Sequence, residues 1–192
     1  MPITSFKSGT KSRSMLVGNT YYEPGSYYSI ATTTLSTSTA TITFSSIPAT
    51  FTHLQIRYIA RSNFATTEAD FLYSLNSDTT SSNYNYHRLI GNGTAAYSQS
   101  STSSRIVGQN TGSSATSGMF AAGVIDILDY ALTSKYKTIR NLVGNDRNGG
   151  GTTGVYSNLW RNSAAISSIT LTPDSGNWVQ YSHFALYGIK GA

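Results

Sequence analysis

The sequence predicts an all-β protein: a jelly-roll-like antiparallel β sandwich with an extended N-terminal arm. Composition is the first observation. Thirty Ser and 26 Thr place a small hydroxyl on 56 of 192 residues, and 14 Tyr add more. Such side chains lose entropy in helices or divert backbone hydrogen bonds there, and they suit strands and turns. The second observation is period-two alternation. In residues 52–61, Leu54, Ile56, Tyr58 and Ala60 face one way, and His53, Gln55, Arg57, Ile59 and Arg61 face the other. That is the pattern of a half-buried antiparallel strand. The third is spacing. About eight to ten strand-like segments recur at intervals of roughly 8–14 residues, separated by turn signals, which points to a two-sheet sandwich or barrel.

Taken in order, residues 1–25 show no strand period and read as an arm, leaving 26–192 as a single domain. Residues 26–44 resemble a low-complexity linker, but their β-branched density and the alternation Ala40, Ile42, Phe44 argue for strands. After 52–61 come 69–76 and 83–90, split by the turn-rich 77–82. Residues 91–118 are rich in Gly, Ser, Thr and Asn and read as a long loop or lid, with 105–107 as a short strand. Segments 119–130, 136–145, 153–162, 165–172 and 178–189 complete the set, and 132–136 reads as one helical turn. Gly-rich 145–151 and the Pro173-Asp174-Ser175-Gly176-Asn177 run mark turns.

Charge narrows the function. Only 11% of residues are charged and none is cysteine, which excludes disulfide scaffolds, thiol chemistry and cysteine-bound zinc. Of the net charge of +5, Lys7, Lys11 and Arg13 supply +3 in the first 14 residues, which hold no acid. A basic start of this kind suits contact with an anionic partner. No secretion signal or membrane span is read, so synthesis in a cytoplasm and a soluble life are expected. Arg57, Arg61, Arg88, Arg105, Arg140 and Arg161 are dispersed, which argues against direct nucleic-acid binding and for charge-assisted contacts across subunit interfaces.

Motifs for chemistry fail on context. Gly149–Gly154 fits a dinucleotide fingerprint as text, but a strand follows it where a helix is required. Asp174-Ser175-Gly176 occurs once, whereas an aspartic protease needs two such carboxylates. Asp126 and Asp129 point to opposite faces of a strand and read as edge charges paired with Arg or Lys. His53, His87 and His183 lack metal-ligand spacing. No cofactor, metal site or catalytic residue is expected. The aromatic stretch Tyr84, Tyr86, His87, Arg88, together with Arg57, Arg61 and Trp160, is the candidate subunit-interface or ligand surface.

Ile169-Thr170-Leu171-Thr172-Pro173-Asp174-Ser175-Gly176-Asn177-Trp178 runs into Tyr181-Ser182-His183-Phe184-Ala185-Leu186-Tyr187-Gly188-Ile189-Lys190. This resembles the closing hairpin of small virion structural proteins of tailed bacteriophages, whose chains end in a Ser-x-Phe-x-Leu-Tyr-Gly-Ile-Lys pattern. Residues 123–130, Lys135–Arg140 and Tyr86–Gly91 are similar to the same group. The resemblance implies a non-enzymatic virion component, made in a bacterial host cytoplasm and placed on the capsid exterior. The expected role is decoration (cement): a homotrimer clamping neighbouring major capsid subunits, with Lys7, Lys11 and Arg13 as capsid contacts. The alternative is a tail-fibre or tail-tip protein whose tyrosines and Trp160 stack on host glycans. A glycan hydrolase ranks lowest, because it needs a carboxylate pair.

Overall fold

The computed structural model describes Met15–Val17, Thr20–Tyr22 and residues 27–190. Within the segment expected to be an arm, β1 (Met15–Val17) and β2 (Thr20–Tyr22) pair antiparallel, Leu16 opposite Tyr21. Twelve strands follow: β3 (Tyr27–Thr34), β4 (Ile42–Phe44), β5 (His53–Ala60), β6 (Glu68–Leu75), β7 (Tyr84–Gly91), β8 (Ala96–Ser101), β9 (Ile106–Thr111), β10 (Ala121–Ile127), β11 (Lys137–Asp146), β12 (Gly151–Trp160), β13 (Ile169–Pro173) and β14 (His183–Ile189). They form an eight-stranded sheet, β3-β14-β5-β10-β11-β12-β7-β8, and a four-stranded sheet, β4-β13-β6-β9.

The strand order explains why more strands are present than the spacing suggested. The hairpins β7–β8 and β11–β12 both add to one side of the large sheet. Without them the sheets read β3-β14-β5-β10 and β4-β13-β6-β9, and the eight strands cross between sheets at every step except β6 to β9, the two-Greek-key order of a jelly roll. The fold is therefore a jelly-roll sandwich with one sheet widened by two inserted hairpins. Both hairpins have local causes. Asn92 Oδ1 accepts the Thr94 and Ala95 N–H groups in the first turn, at 3.0 and 2.8 Å. Gly149 takes φ of +112° in the second.

The core lies between the sheets. Tyr58, Phe71, Trp178 and Phe184 pack ring on ring with centroids 5.0 to 6.4 Å apart, and each is at most 2% exposed. Trp178 is fixed at both ends of its bond set. Its backbone exchanges hydrogen bonds with Thr39, and its indole N–H donates to the Leu171 carbonyl at 3.2 Å. A second group stacks Tyr84 on Trp160 and sets Tyr73 edge-on to Tyr84.

Three expectations are corrected. Residues 91–118 are not one loop: they hold β8 and β9, and β9 is an edge strand of the small sheet. The C-terminal segments are not a hairpin, because β13 lies in the small sheet and β14 in the large one. Residues 132–136 are bend and irregular backbone. The helical turn among the described residues is Ser81–Asn83.

Two buried cations organise loops. The Arg61 guanidinium donates to the carbonyls of Ser113, Ala115, Thr116 and Met119, at 3.1, 2.7, 2.8 and 2.9 Å, and so holds the β9–β10 loop. The Lys137 ammonium, fully buried, donates to the carbonyls of Leu132, Lys135 and Ser163. Arg61→Met is expected to cost about 2 kcal/mol, since several buried carbonyls lose charged donors. Hydrogen exchange should quicken across 112–120 first, and unchanged exchange there would refute the role.

Candidate functional site

The candidate surface chosen from sequence divides in two. Trp160, Tyr84 and Tyr86 are 1%, 0% and 4% exposed, so none of the three is free to stack on a ligand. Their alternation places them on the inner face of the widened sheet, and polar partners satisfy them there. The Trp160 N–H donates to Asp78 at 2.8 Å, and the Tyr84 hydroxyl donates to the Asp78 carbonyl at 2.9 Å. Arg61 is buried by its carbonyl partners. Arg88 lies between the sheets, 2.7 Å from Asp70 on β6, with Tyr86 and Tyr156 rings about its guanidinium. Burial pushes the Asp70 carboxyl up, against the pull of Arg88. Arg57 and His87 alone of this set are exposed. Lys7, Lys11 and Arg13 lie outside the described residues.

The structure brings together a different surface, the outer face of the large sheet. Register aligns Val124 with Leu142, Leu142 with Val155, and Val155 with Leu89 across β10, β11, β12 and β7. Leu142, Val155 and Leu89 are 59%, 52% and 58% exposed. This is a continuous apolar ridge, four strands wide, on a solvent-facing sheet. Two residues along each strand runs a parallel row of small residues: Ala122, Gly144, Thr153 and Gly91. That row floors an open trough of about 820 Å³, walled by the turns at 92–94 and 149–151 and by Phe120.

Polar groups border the ridge on its other side. Gln55 donates to Asp126 at 2.9 Å and accepts from Arg57 at 3.0 Å. The Arg57 guanidinium sits over the Tyr27 and Tyr187 rings. Arg140, 60% exposed at its side chain, is 3.8 Å from Asp126. Asp129 pairs with Lys135, which holds its carboxyl below the usual range. The expectation that Asp126 and Asp129 pair with basic neighbours holds within the chain, but the two do not share a strand: Asp126 is on β10, and Asp129 lies in the turn after it with φ of +49°. A continuous apolar surface of this kind, rimmed by polar groups, is the usual signature of protein docking.

Sequence reasoning did not single out Leu89, Leu142 or Val155. The available signal was adjacency: Leu89-Ile90 and Leu142-Val143 put large apolar groups on both faces of strands that need only one covered. Among the described residues no group of three His, Cys, Asp or Glu is placed to hold a metal, and no helix is long and apolar enough to cross a membrane. Comparisons with protein-family models, with curated proteins and with solved structures find no match to this chain.

Proposed function

We propose that this chain is a structural component of a tailed-phage virion, a decoration protein that clamps neighbouring major capsid subunits on the head exterior. The observation that carries the reading is the C-terminal Ser182–Lys190 pattern, which resembles phage virion proteins, on a jelly-roll body. The exposed apolar ridge adds a surface suited to a protein partner, whether capsid or a second copy. In this reading Lys7, Lys11 and Arg13 meet the acidic outer surface of the capsid, and the sandwich supplies the stiff body. Repeated copies multiply weak individual contacts, so the shell resists internal pressure without any one strong bond. The glycan-binding alternative loses support, because Trp160, Tyr84 and Tyr86 are core residues.

Labelling of intact virions with antibody against the chain tests the placement: signal over heads supports decoration, and signal at tail tips overturns it. Reversing Lys7, Lys11 and Arg13 to glutamate should weaken capsid binding at least tenfold, with the loss greatest at low salt, where the electrostatic attraction is least screened. Unchanged co-sedimentation with capsids would remove the basic segment from the contact.

A further inference from the structure

We propose that the outer face of the eight-stranded sheet is the interface of a two-fold homodimer, the apolar ridge of one copy seated in the small-residue trough of the other. The inference rests on reading this face as a protein-docking surface. It does not rest on a phage origin.

The face is complementary to itself. Ridge and trough lie side by side, one strand step apart, on the same four strands: Leu142 beside Gly144, Val155 beside Thr153, Leu89 beside Gly91, Val124 beside Ala122. Consider a two-fold axis in the plane of the interface, running across the strands between the two rows. It lays each strand antiparallel over its own copy, and on these four strands each ridge residue then meets a trough residue, while on β5 Arg57 falls over the exposed Ile59 of the copy. That is the isologous arrangement, in which residue i contacts j and j contacts i.

The glycines point the same way. A Cβ built on Gly144 or Gly91 would meet nothing within 4 Å, and neither residue has positive φ. Nothing inside the monomer requires glycine at either position. Gly144 lies inside β11 and Gly91 ends β7; glycine inside a strand weakens it, and close approach of another backbone is a reason to keep it there. The two are linked in register through Thr153, so they form one stripe.

Charge fits the same operation. One step beyond the ridge on β11 is Arg140, and one step beyond the trough is Asp146. The axis sets Arg140 over Asp146 of the second copy, twice. Arg140 has only the distant 3.8 Å contact to Asp126, and Asp146, exposed, pairs with no cation among the described residues. The four strands that carry ridge and trough, about 4.8 Å apart and roughly 25 Å long, offer on the order of 500 Å² per copy, the size class of a weak, reversible pair. A two-fold pair replaces the three-fold assembly that the phage resemblance implies.

Sedimentation of the full-length protein over a range of concentrations should give a dimer. Leu142→Arg should raise the dimer dissociation constant at least tenfold. Because Leu142 is exposed in the single chain, that variant's melting temperature should stay within about 2 °C of wild type when both are compared below the wild-type dimer dissociation constant. Arg140→Asp alone should weaken the dimer, and Arg140→Asp with Asp146→Arg should restore it. The chain has no cysteine, so a mixture of Leu142→Cys and Gly144→Cys proteins with a short bismaleimide should form a covalent pair more readily than either alone. A monomer at every concentration, or a trimer, overturns the proposal. If the protein is monomeric and Leu142→Arg abolishes capsid binding, the capsid occupies this face: the docking reading stands and the second copy falls. If Leu142→Arg alters neither self-association nor capsid binding, both fall.

Discussion

Replacing Phe184 by alanine is expected to lower stability by about 3–5 kcal/mol, the range for removing a fully buried aromatic from a packed core. Phe184 is 0% exposed, sits on an interior strand between β3 and β5, and contacts both Trp178 and Tyr58 at ring-packing distance. Those neighbours belong to different elements and cannot follow one side chain into the space it leaves. The cavity term therefore stays large. A domain of this size has about 5–15 kcal/mol in total, so the variant keeps only part of its margin. Its melting temperature should fall by roughly 6–20 °C, at about 2–4 °C per kcal/mol. Leu132→Ala, at an exposed position in the connection between β10 and β11, is the control and should change stability by less than about 0.5 kcal/mol. A Phe184→Ala protein melting within a degree or two of wild type would show that the four-ring cluster is not the centre of the core.

Phe184 is legible in the sequence because residues 178–189 carry large apolar groups on both faces, the mark of a central strand, and β14 lies between β3 and β5. The same logic succeeds at β5, where Leu54, Ile56, Tyr58 and Ala60 are all buried. It fails where burial is polar. β9 ends in Gln109, Asn110 and Thr111, and all three are buried. They survive there because side chains satisfy one another across the sandwich: Thr111 donates to Asn145 at 2.9 Å, and Asn141 donates to the Val107 carbonyl at 2.8 Å. A strand stabilised that way looks like a polar loop in one dimension. β8 fails for the opposite reason. Ala96–Ser101 is solvent-facing on both sides, so nothing selects an alternating pattern, and only backbone pairing to β7 defines it.

The candidate surface was less legible than the fold. Aromatic residues near arginines suggest a binding face, but Tyr84, Tyr86 and Trp160 fall on the inward-facing positions of β7 and β12. Which face of a strand points inward depends on which sheet covers it, and that is a property of topology. The ridge shows the same dependence. Leu89, Leu142, Val155 and Val124 are far apart in sequence and meet only because β7 pairs with β12 across the β8–β11 excursion. The order β11-β12-β7 is the step that composition and periodicity do not contain.

Raising the pH above 10 is expected to unfold the protein cooperatively, through its buried tyrosines. Tyr58, Tyr73, Tyr84 and Tyr156 are each at most 2% exposed. Burial pushes all four phenols above the ordinary value of 10.0, Tyr84 to about 12. A raised folded-state value means that the fold holds the proton more tightly than the unfolded chain does. The contribution is fully present below pH 10, because both states are then protonated. It is lost as pH rises through the folded values, because the unfolded chain gives up its protons first. One unit above 10, each such group costs roughly 1 kcal/mol, and four together cost on the order of 4–5 kcal/mol, comparable with the whole stability of a marginal domain. Lys137 acts with the opposite sign, since burial and the Lys135 charge pull its ammonium down and deprotonation relieves the folded state. One lysine does not offset four phenols. Far-ultraviolet circular dichroism and tyrosinate absorbance, followed together, should move in a single shared transition between pH 10 and 12 for these residues. Tyr73→Phe should shift that transition upward, because it removes one of the four protons and no hydrogen bond. A protein that keeps its β-sheet signal with every tyrosine ionised would show that these phenols reach solvent, and the core described above would be wrong at its centre.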